Sequence, residues 1–248
     1  MCQAWMLFLI ECAPSVRVVL MSQYLHLFFA HSLLSILLLS APLHAASLQA
    51  ELLDSQGQPL ANAVLSLRRS AAAPTAPASA IMDQRPQQFA PNVLAARSGT
   101  SVTFPNSDNI RHHVYSFSLA KRFELRLYQG TPSEPVIFDK PGVVVLGCNI
   151  HDWMLGYVYV TDDPWFAVSD EQGRLRIDQL PAGTYSASLW HPQAPQMLPQ
   201  AAGEVQLSEG GNQQRFTLAI QAPAAQVAPR APASAFGDAF KKARDAAQ

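Results

Sequence analysis

Three residue types that bind metal ions follow one another at three-residue intervals in the segment GCNIHDWM: Cys148, His151 and Met154. Together they offer a thiolate, an imidazole and a thioether. Soft sulfur ligands combined with imidazole favour copper over magnesium, calcium or manganese. A structural zinc site more often has four cysteine and histidine ligands. The spacing therefore predicts a copper site on one short loop that still lacks a second strong nitrogen donor.

The segment NIRHHVYSF, residues 109–117, supplies that donor. Two histidines and one cysteine in a trigonal arrangement, with a weak axial methionine, form the centre of blue-copper electron-transfer proteins. Adjacent side chains of a strand face opposite sides of the sheet, so only one of the two histidines can point into the site. The local pattern leaves both His112 and His113 open as that ligand.

The elements around these residues are predicted to be strands. Helical periodicity is scarce, and short runs rich in Val, Tyr, Phe and Leu are broken by Gly, Pro, Asn and Asp, which is typical of an all-β chain. The run PGVVVLGC predicts a buried strand that ends at Cys148. NIHDWM is then a tight loop, and GYVYV is the returning strand.

Composition and strand patterns divide the chain into several segments. RSAAAPTAPASA lacks hydrophobic periodicity, as a linker would, and the chain beyond residue 221 is rich in Ala, Pro and Gln, which favours disorder with at most a short terminal helix. We predict a signal peptide at 1–46, a β-sandwich made of 47–68 plus 162–220, a linker at 69–80, an inserted β-domain at 81–161 and a disordered tail at 221–248.

The two outer segments resemble the carboxypeptidase regulatory-like family, a small transthyretin-like β-sandwich. The resemblance rests on DSQGQPLANAVLSL, from residue 54, and SDEQGRLRIDQLPAGTYSASLWHP, from residue 169. It implies that the first segment forms a hairpin and the second the later strands. About a hundred residues separate them, so we expect one domain inserted into a loop of the other, where a longer connection costs little stability. Two consecutive domains are the alternative.

The middle segment resembles the cupredoxins of the plastocyanin and amicyanin class, which are Greek-key β-sandwiches. The C-x-x-H-x-x-M spacing at residues 148–154 matches the short ligand loop of amicyanin. Aligning H-H-V with the family's H-N-V implies that His112 is the ligand and that His113 replaces an asparagine. The resemblance thus implies one type 1 copper ion bound by His112, Cys148, His151 and Met154. Arg111 stands where family members often have proline.

The same resemblance implies the function. The whole chain is similar to cupredoxin-containing proteins labelled "methylamine utilization protein", a label that reports an association with that pathway and not an activity. The cupredoxin resemblance implies a carrier of single electrons rather than an enzyme. His151 would be the electron exit, within an apolar patch that includes Ile150 and Trp153. The implied partners are dehydrogenases or c-type cytochromes. With 17 basic and 18 acidic residues, the chain shows no nucleic-acid footprint.

The N-terminal segment predicts export. An apolar run at residues 33–39 is followed by small residues at 45–46, as in a secretory signal peptide, with Met21 as an alternative start. An uncleaved membrane anchor is the rival interpretation; otherwise no stable membrane insertion is expected. Cleavage removes Cys2 and Cys12, so Cys148 would be the sole thiol of a periplasmic or otherwise exported protein and could form no internal disulfide.

Other interpretations of these residues are weaker as a set. Taken singly, Cys148 could be a core thiol, His151 a surface residue and Met154 a packing residue. A thiolate beside an imidazole could also be a nucleophile, but no cysteine-protease signature surrounds Cys148. The alternative function is a copper-binding or cell-envelope interaction module without electron transfer. His191, in LWHP, is predicted to be a structural or exposed residue.

Overall fold

The computed structural model describes residues 45–70, 78–221 and 235–246. The predicted signal peptide lies outside this range except for its last two residues. Parts of the predicted linker and tail, at 71–77 and 222–234, also lie outside it. No helix in the described ranges is long and apolar enough to cross a membrane.

The described residues form strands almost throughout, which confirms the predicted all-β fold. The strands in chain order are β1 (Ala46–Leu53), β2 (Val64–Arg68), β3 (Ser79–Ile81), β4 (Asp83–Gln84), β5 (Phe89–Ala90), β6 (Val93–Arg97), β7 (Thr100–Thr103), β8 (His112–Phe117), β9 (Arg122–Tyr128), β10 (Val136–Phe138), β11 (Gly142–Cys148), β12 (His151–Thr161), β13 (Trp165–Val168), β14 (Arg174–Leu180), β15 (Gly183–Trp190), β16 (Gln200–Leu207) and β17 (Gly210–Thr217). A 3-10 turn at Pro195–Met197 precedes β16, and helix α1 spans Ala235–Asp245.

Strand pairing separates two sandwiches. The inner sandwich packs the five-stranded sheet β6-β12-β11-β8-β9 against the three-stranded sheet β10-β7-β3. The outer sandwich packs β14-β1-β17 against β13-β2-β15-β16. All inner strands therefore lie between β2 and β13 in the chain. This pairing is the observation on which the proposal of an inserted domain rests.

Alternation of apolar and polar residues explains the outer sandwich. In β1 the side chains of Ala46, Leu48, Ala50 and Leu52 are buried, and those between them are more exposed. A strand of this kind buries one face against the facing sheet. The turn before β14 requires glycine at Gly173, where φ is +72° and a Cβ would stand 2.5 Å from Leu52 O.

The predicted hairpin at residues 47–68 is wrong. Strand β1 pairs with β14 and β17, whereas β2 belongs to the opposite sheet. The polar turn between them therefore carries the chain across the sandwich. Asp54 begins this crossing, and its Oδ1 accepts hydrogen bonds from Gln56 N (2.9 Å) and Gln58 N (2.8 Å). Both strands bury apolar side chains in the same core, which alternation alone cannot distinguish from a hairpin.

A third apolar cluster joins the two sandwiches. Trp190 at the end of β15 is fully buried, and its ring stacks on Tyr159 of β12 at 5.2 Å. A polar contact supports the same junction: Asp163, just after β12, accepts hydrogen bonds from Ser66 Oγ (2.7 Å) and Arg68 Nε (2.6 Å) of β2. The outer sandwich thereby covers one face of the five-stranded sheet.

The end of the chain contains a short helix, which the prediction of a disordered tail with at most a short terminal helix allowed. Residues 235–245 form the helix α1, which packs against β11 and β12. Ala243 is buried in the junction cluster, and the ring of Phe240 lies 5.6 Å from that of Phe117. The helix is therefore held by an apolar surface formed far away in the sequence, and composition near the tail does not reveal that surface.

The predicted tight loop over residues 149–154 is shorter in the structure. Only Asn149 and Ile150 connect β11 to β12, and Cys148 pairs with His151 across this turn. The next pair toward the core is Gly147 with Leu155, so β12 bulges by three residues. A bulge of this kind redirects side chains near a strand end. Met154 is therefore a strand residue.

Candidate metal centre

Strand β11 places Cys148 at the rim of the inner sandwich. Its valine-rich run is buried from Val144 onward, because this strand lies in the middle of the five-stranded sheet. Cys148 is a free thiol with 3% of its surface exposed. It packs in the inner core cluster with Leu146, the preceding residue on the same face. The thiol is thus held in a fixed, mostly dry position.

A loop organised by Asn106 places His112 beside this thiol. The Asn106 side chain donates hydrogen bonds to Ile110 O and Tyr128 O, both at 2.8 Å, and accepts one from Asp108 N at 3.0 Å. The loop then enters β8, which pairs with β11. His112, the first residue of β8, is fully buried.

Both histidine rings direct the same nitrogen at the sulfur. His112 Nδ1 lies 3.7 Å from Cys148 Sγ, and His151 Nδ1 lies 3.6 Å from it. The two rings are 4.9 Å apart. Within the described residues, His112, Cys148 and His151 are the one group of three or more His, Cys, Asp or Glu residues close enough to hold a metal ion. The structure thus brings together three of the four predicted ligands around one point.

The separations fit a shared metal ion. Nitrogen and sulfur ligands lie about 2.0–2.1 Å and about 2.3 Å from a zinc ion. When the angle at the ion is between tetrahedral and trigonal, such atoms are roughly 3.5–3.8 Å apart. Both observed nitrogen–sulfur distances fall in this interval. The donor set of one thiol and two imidazoles also suits a soft or borderline transition metal.

The hydrogen bonding of His112 supports the same conclusion. Its Nε2 lies 2.9 Å from Asp108 Oδ2. An ionised carboxylate only accepts, so the proton is assigned to Nε2. In the neutral ring Nδ1 then presents a lone pair to the sulfur. A lone pair facing the sulfur is satisfied either by the thiol proton or by a cation that both atoms bind.

The pKa values of the surrounding groups agree with this arrangement. The hydrogen bond from His112 lowers the pKa of Asp108, although burial opposes the shift. Burial is the main cause that lowers the pKa of His151; any positive charge on His112 would lower it further, and the charge of Asp108 opposes the shift. Both shifts favour an ionised Asp108 and a neutral His151 near neutral pH. A neutral imidazole is the form that binds metals.

Met154 lies in the same core as the thiol. It is 1% exposed and belongs to the inner core cluster that contains Cys148. Its place in the bulged part of β12, three residues after His151, keeps it on the core side of the strand. The structure therefore places the predicted fourth ligand in the same buried neighbourhood, and its role as a ligand stays a prediction.

His113 faces away from this group. Its Nε2 lies 3.1 Å from Glu124 Oε1, close enough for an ion pair but outside hydrogen-bond geometry, and its ring packs 5.5 Å from Tyr115. Between the two adjacent histidines, the geometry favours His112 as the residue facing Cys148. Arg111 is exposed. The half-buried Trp153 ring lies 5.2 Å from the His151 ring and covers that side of the group.

His191 is a buried structural residue in the outer sandwich. Its Nδ1 accepts a hydrogen bond from Gln193 N at 3.1 Å. Burial lowers its pKa to about 4, although a hydrogen bond to the Ala61 backbone opposes the shift. Lys242 of α1 lowers it slightly further. This histidine is therefore kept neutral mainly by its burial.

Sequence reasoning assigned no role to Asn106 or Asp108. The signal that could have found them is the segment N-S-D followed by a histidine four residues after the aspartate. Asn and Asp in a loop commonly accept hydrogen bonds from backbone N–H groups two residues on. The hydrogen bond between Asp108 and His112 depends on how the loop turns, and spacing alone does not fix that.

Comparisons with known proteins give matches at the level of structure only. No family model matches the chain, and no curated protein does. Solved structures similar to part of it include a purple cupredoxin from Nitrosopumilus maritimus, at 23% identity and a TM-score of 0.30, which covers 34% of this chain and 99% of that one. A point mutant of amicyanin in its reduced state is 18% identical at a TM-score of 0.31, with 39% and 99% covered.

A third similar structure is the copper-containing nitrite reductase of Thermus scotoductus. It is 24% identical at a TM-score of 0.32, and the match covers 38% of this chain and 25% of that one. These scores are low and the matches reach less than half of this chain. They therefore assign no activity, metal or partner to it.

Proposed function

We propose that this chain is an exported type 1 copper protein that carries single electrons between redox partners. The proposed ligands of its one copper ion are His112 Nδ1, Cys148 Sγ, His151 Nδ1 and the thioether of Met154. The observation that carries the proposal is the pair of imidazole nitrogens directed at one buried sulfur, at 3.7 and 3.6 Å. When bound, copper supplies a one-electron couple that no side chain here has by itself.

The burial of the site supports electron transfer over substrate turnover. His112 and Cys148 are almost inaccessible, and His151 is 9% exposed. With Met154 as fourth ligand, the protein fills the coordination positions and leaves no room for a substrate. The side chains are also held by the β-sheet, so the site needs little rearrangement when its charge changes. We infer that the protein is a carrier and not an enzyme.

The surface around His151 supports docking of a redox protein. Ile150, in the turn just before His151, is 47% exposed, and Trp153 is half-buried beside the His151 ring. Electron-transfer encounters are commonly small and weak, so a limited apolar surface suffices. Dehydrogenases and c-type cytochromes are the proposed partner classes. A link to methylamine utilisation is part of the proposal and rests on the sequence resemblance alone.

Export and the role of the outer sandwich belong to the same proposal. A buried thiol that binds copper, and that is the one cysteine among the described residues, suits an oxidising compartment outside the cytoplasm. We propose that the outer strands form a carboxypeptidase regulatory-like sandwich interrupted by the inner one. Its support is the chain order of the two sandwiches, with β1 and β2 on one side of the inner strands and β13–β17 on the other.

Copper reconstitution of the purified chain tests the proposal. We expect one equivalent of Cu(II) to give an intense visible thiolate-to-copper absorption band that ascorbate bleaches and a mild oxidant restores. Electron paramagnetic resonance should show the narrow hyperfine splitting of a copper–thiolate centre. A His191→Asn variant serves as control, since it removes a buried histidine outside the site and should load normally.

Two other outcomes would contradict electron transfer. Copper that binds tightly without a strong absorption band indicates storage or an interaction module. A band that appears but cannot be cycled by reductant and oxidant indicates a copper–thiolate site without a carrier role.

A further inference from the structure

Asp108 connects the metal-facing histidine to the backbone of two other residues. Its Oδ2 lies 2.9 Å from His112 Nε2 and also accepts a hydrogen bond from Gln87 N at 2.8 Å. Its Oδ1 accepts one from Asn109 N at 2.8 Å. The Asp108 side chain is only 8% exposed. These two backbone hydrogen bonds therefore hold the carboxylate in place independently of its contact with the imidazole ring.

The other histidine of the group lacks such an anchor. In the described part of the chain, no carboxylate lies within hydrogen-bond distance of His151, whose ring contacts are with Cys148, His112 and Trp153. The two imidazoles thus stand in unequal environments although their distances to the sulfur are nearly equal.

We propose that Asp108 is a positioning residue that holds His112 as the Nε2-protonated tautomer, with Nδ1 directed at the metal, and that it thereby sets the Cu(II) affinity and reduction potential of the site. This inference rests on the proposed function. A carboxylate behind a ligating imidazole fixes the ring and makes it a stronger donor. A stronger donor stabilises the more highly charged ion, so Asp108 favours the oxidised form.

Two substitutions separate the charge of Asp108 from its hydrogen bond. Asp108→Asn keeps a neutral acceptor for His112 Nε2 but removes the negative charge. Asp108→Ala removes both. We expect Asp108→Asn to weaken Cu(II) binding about 10- to 100-fold, the usual effect of losing such a partner. If Cu(I) binding is spared, each tenfold preferential loss raises the reduction potential by about 59 mV.

Two control variants test other causes of a shift in the reduction potential: a change in the supporting loop and the loss of a nearby negative charge. Asp83 is also a buried carboxylate of this region, and its Oδ1 accepts hydrogen bonds from Gln84 N (2.7 Å) and Ser107 N (3.2 Å) without contacting His112. Asp83 also forms an ion pair with Arg85 at 3.2 Å, so Asp83→Asn tests the effect of neutralising a buried carboxylate of this region that does not contact His112. Asp152 is exposed and adjoins His151 in the chain, so Asp152→Asn removes a nearby charge that water screens. Neither control should shift the potential as Asp108→Asn does.

A measurement on the metal-free protein separates this inference from the proposed function. Long-range proton–nitrogen NMR correlations of the imidazoles should show His112 as the Nε2-protonated tautomer, and Asp108→Ala should produce a mixture of tautomers. Asp83→Asn should leave the tautomer unchanged. This readout does not depend on copper binding or on electron transfer.

The outcomes are distinct. The expected result is a fixed tautomer in the wild type together with a raised potential and weaker Cu(II) binding in Asp108→Asn. The inference is overturned if Asp108→Asn and Asp108→Ala change neither the tautomer nor the potential of a protein that does load copper. It is also overturned if Asp83→Asn or Asp152→Asn shifts the potential as much. A wild type with the fixed tautomer but no thiolate-to-copper band refutes the proposed function and the tuning role together, and leaves only the hydrogen bond.

Discussion

Buried Ser169 of the outer sandwich binds the backbone of a nearby turn, whereas His112, Cys148 and His151 of the inner sandwich face one another. In the outer sandwich, Ser169 Oγ donates to Leu60 O at 2.6 Å and accepts from Ala63 N at 3.0 Å. In the inner sandwich, two imidazole nitrogens converge on Cys148. Buried polar groups normally have hydrogen-bond partners within the protein. A group of them that converges on one point is therefore a sign of a ligand.

The histidines make this contrast most sharply. His191 and His112 are both buried, yet the Nδ1 of His191 accepts a backbone N–H and the Nδ1 of His112 faces a sulfur. Burial by itself does not distinguish a structural histidine from a candidate metal ligand. The distinguishing feature is whether the chain supplies a donor to the ring's unprotonated nitrogen.

The largest expected effect is the loss of the copper absorption band on substitution of Cys148, compared with substitution of His191. Cys148→Ser should abolish the thiolate-to-copper absorption band, because a serine hydroxyl is not deprotonated to a soft ligand at neutral pH. Since the two side chains have similar volume, the metal-free protein should keep its β-sheet circular dichroism. His191→Asn should destabilise the outer sandwich and keep the band. The prediction is wrong if Cys148→Ser and His191→Asn show the same thiolate-to-copper absorption band.

The second prediction compares the two cores. Leu65→Ala in the outer core and Leu146→Ala in the inner core each remove a fully buried leucine, so each should lower the free energy of unfolding by about 2–5 kcal/mol. Because Leu146 lies two residues before Cys148 on the same face, only its variant should also weaken copper binding.

Urea unfolding of the metal-free variants, followed by circular dichroism, measures the stability loss. Copper titration of the folded variants measures the site. Equal losses of copper affinity in Leu65→Ala and Leu146→Ala would show that the site depends on the outer core as much as on the inner core. The prediction that only the inner core supports the site would then be wrong.

Local patterns predicted the strands and the residue types of the site. The valine run before Cys148 specifies a buried central strand because apolar continuity on both faces fits only such a position. The C-x-x-H spacing places His151 next to Cys148 because a two-residue turn brings strand ends together. Such signals act over a few residues, and sequence patterns report them well.

Features that depend on distant surfaces were not predictable in the same way. Alternation in β1 shows which face is buried but not that β2 lies in the opposite sheet. Helix α1 is held by the strands β11 and β12 and by Phe117, and Phe117 lies more than a hundred residues before the helix in the chain. The contact between Asp108 and His112 requires a loop shape that Asn106 imposes from within. Each needs the folded chain to define the partner.

The third prediction concerns pH and the outer sandwich. The pKa of His191 is lowered to about 4, below about 6.5 for a histidine in the unfolded chain. The folded state therefore favours the neutral ring. This contribution is complete above about pH 6.5 and is lost as the pH falls toward 4, with a total on the order of 3 kcal/mol.

Chemical denaturation of the metal-free protein between about pH 4.5 and 7 measures the slope of the free energy of unfolding against pH. His151 has a lowered pKa as well, so the comparison with His191→Asn isolates the part that belongs to His191. The variant should lose part of the slope while copper loading at neutral pH is unchanged. An unchanged slope would mean that His191 is protonated in the fold or equally buried in the unfolded chain.

The smallest expected effect tests whether exposed charges also hold the outer sandwich. Glu51 Oε2 and Arg215 Nε are 2.7 Å apart across β1 and β17, but 70% of the Arg215 side chain and 40% of the Glu51 side chain are exposed. Because water screens such a pair, Glu51→Gln should lower the free energy of unfolding by less than about 1 kcal/mol, and added salt should reduce even that. Urea unfolding at low and high ionic strength measures it. A loss as large as that of Leu65→Ala would place the stability of this sheet on its surface charges, whereas a small loss leaves it to the apolar core and the buried turns.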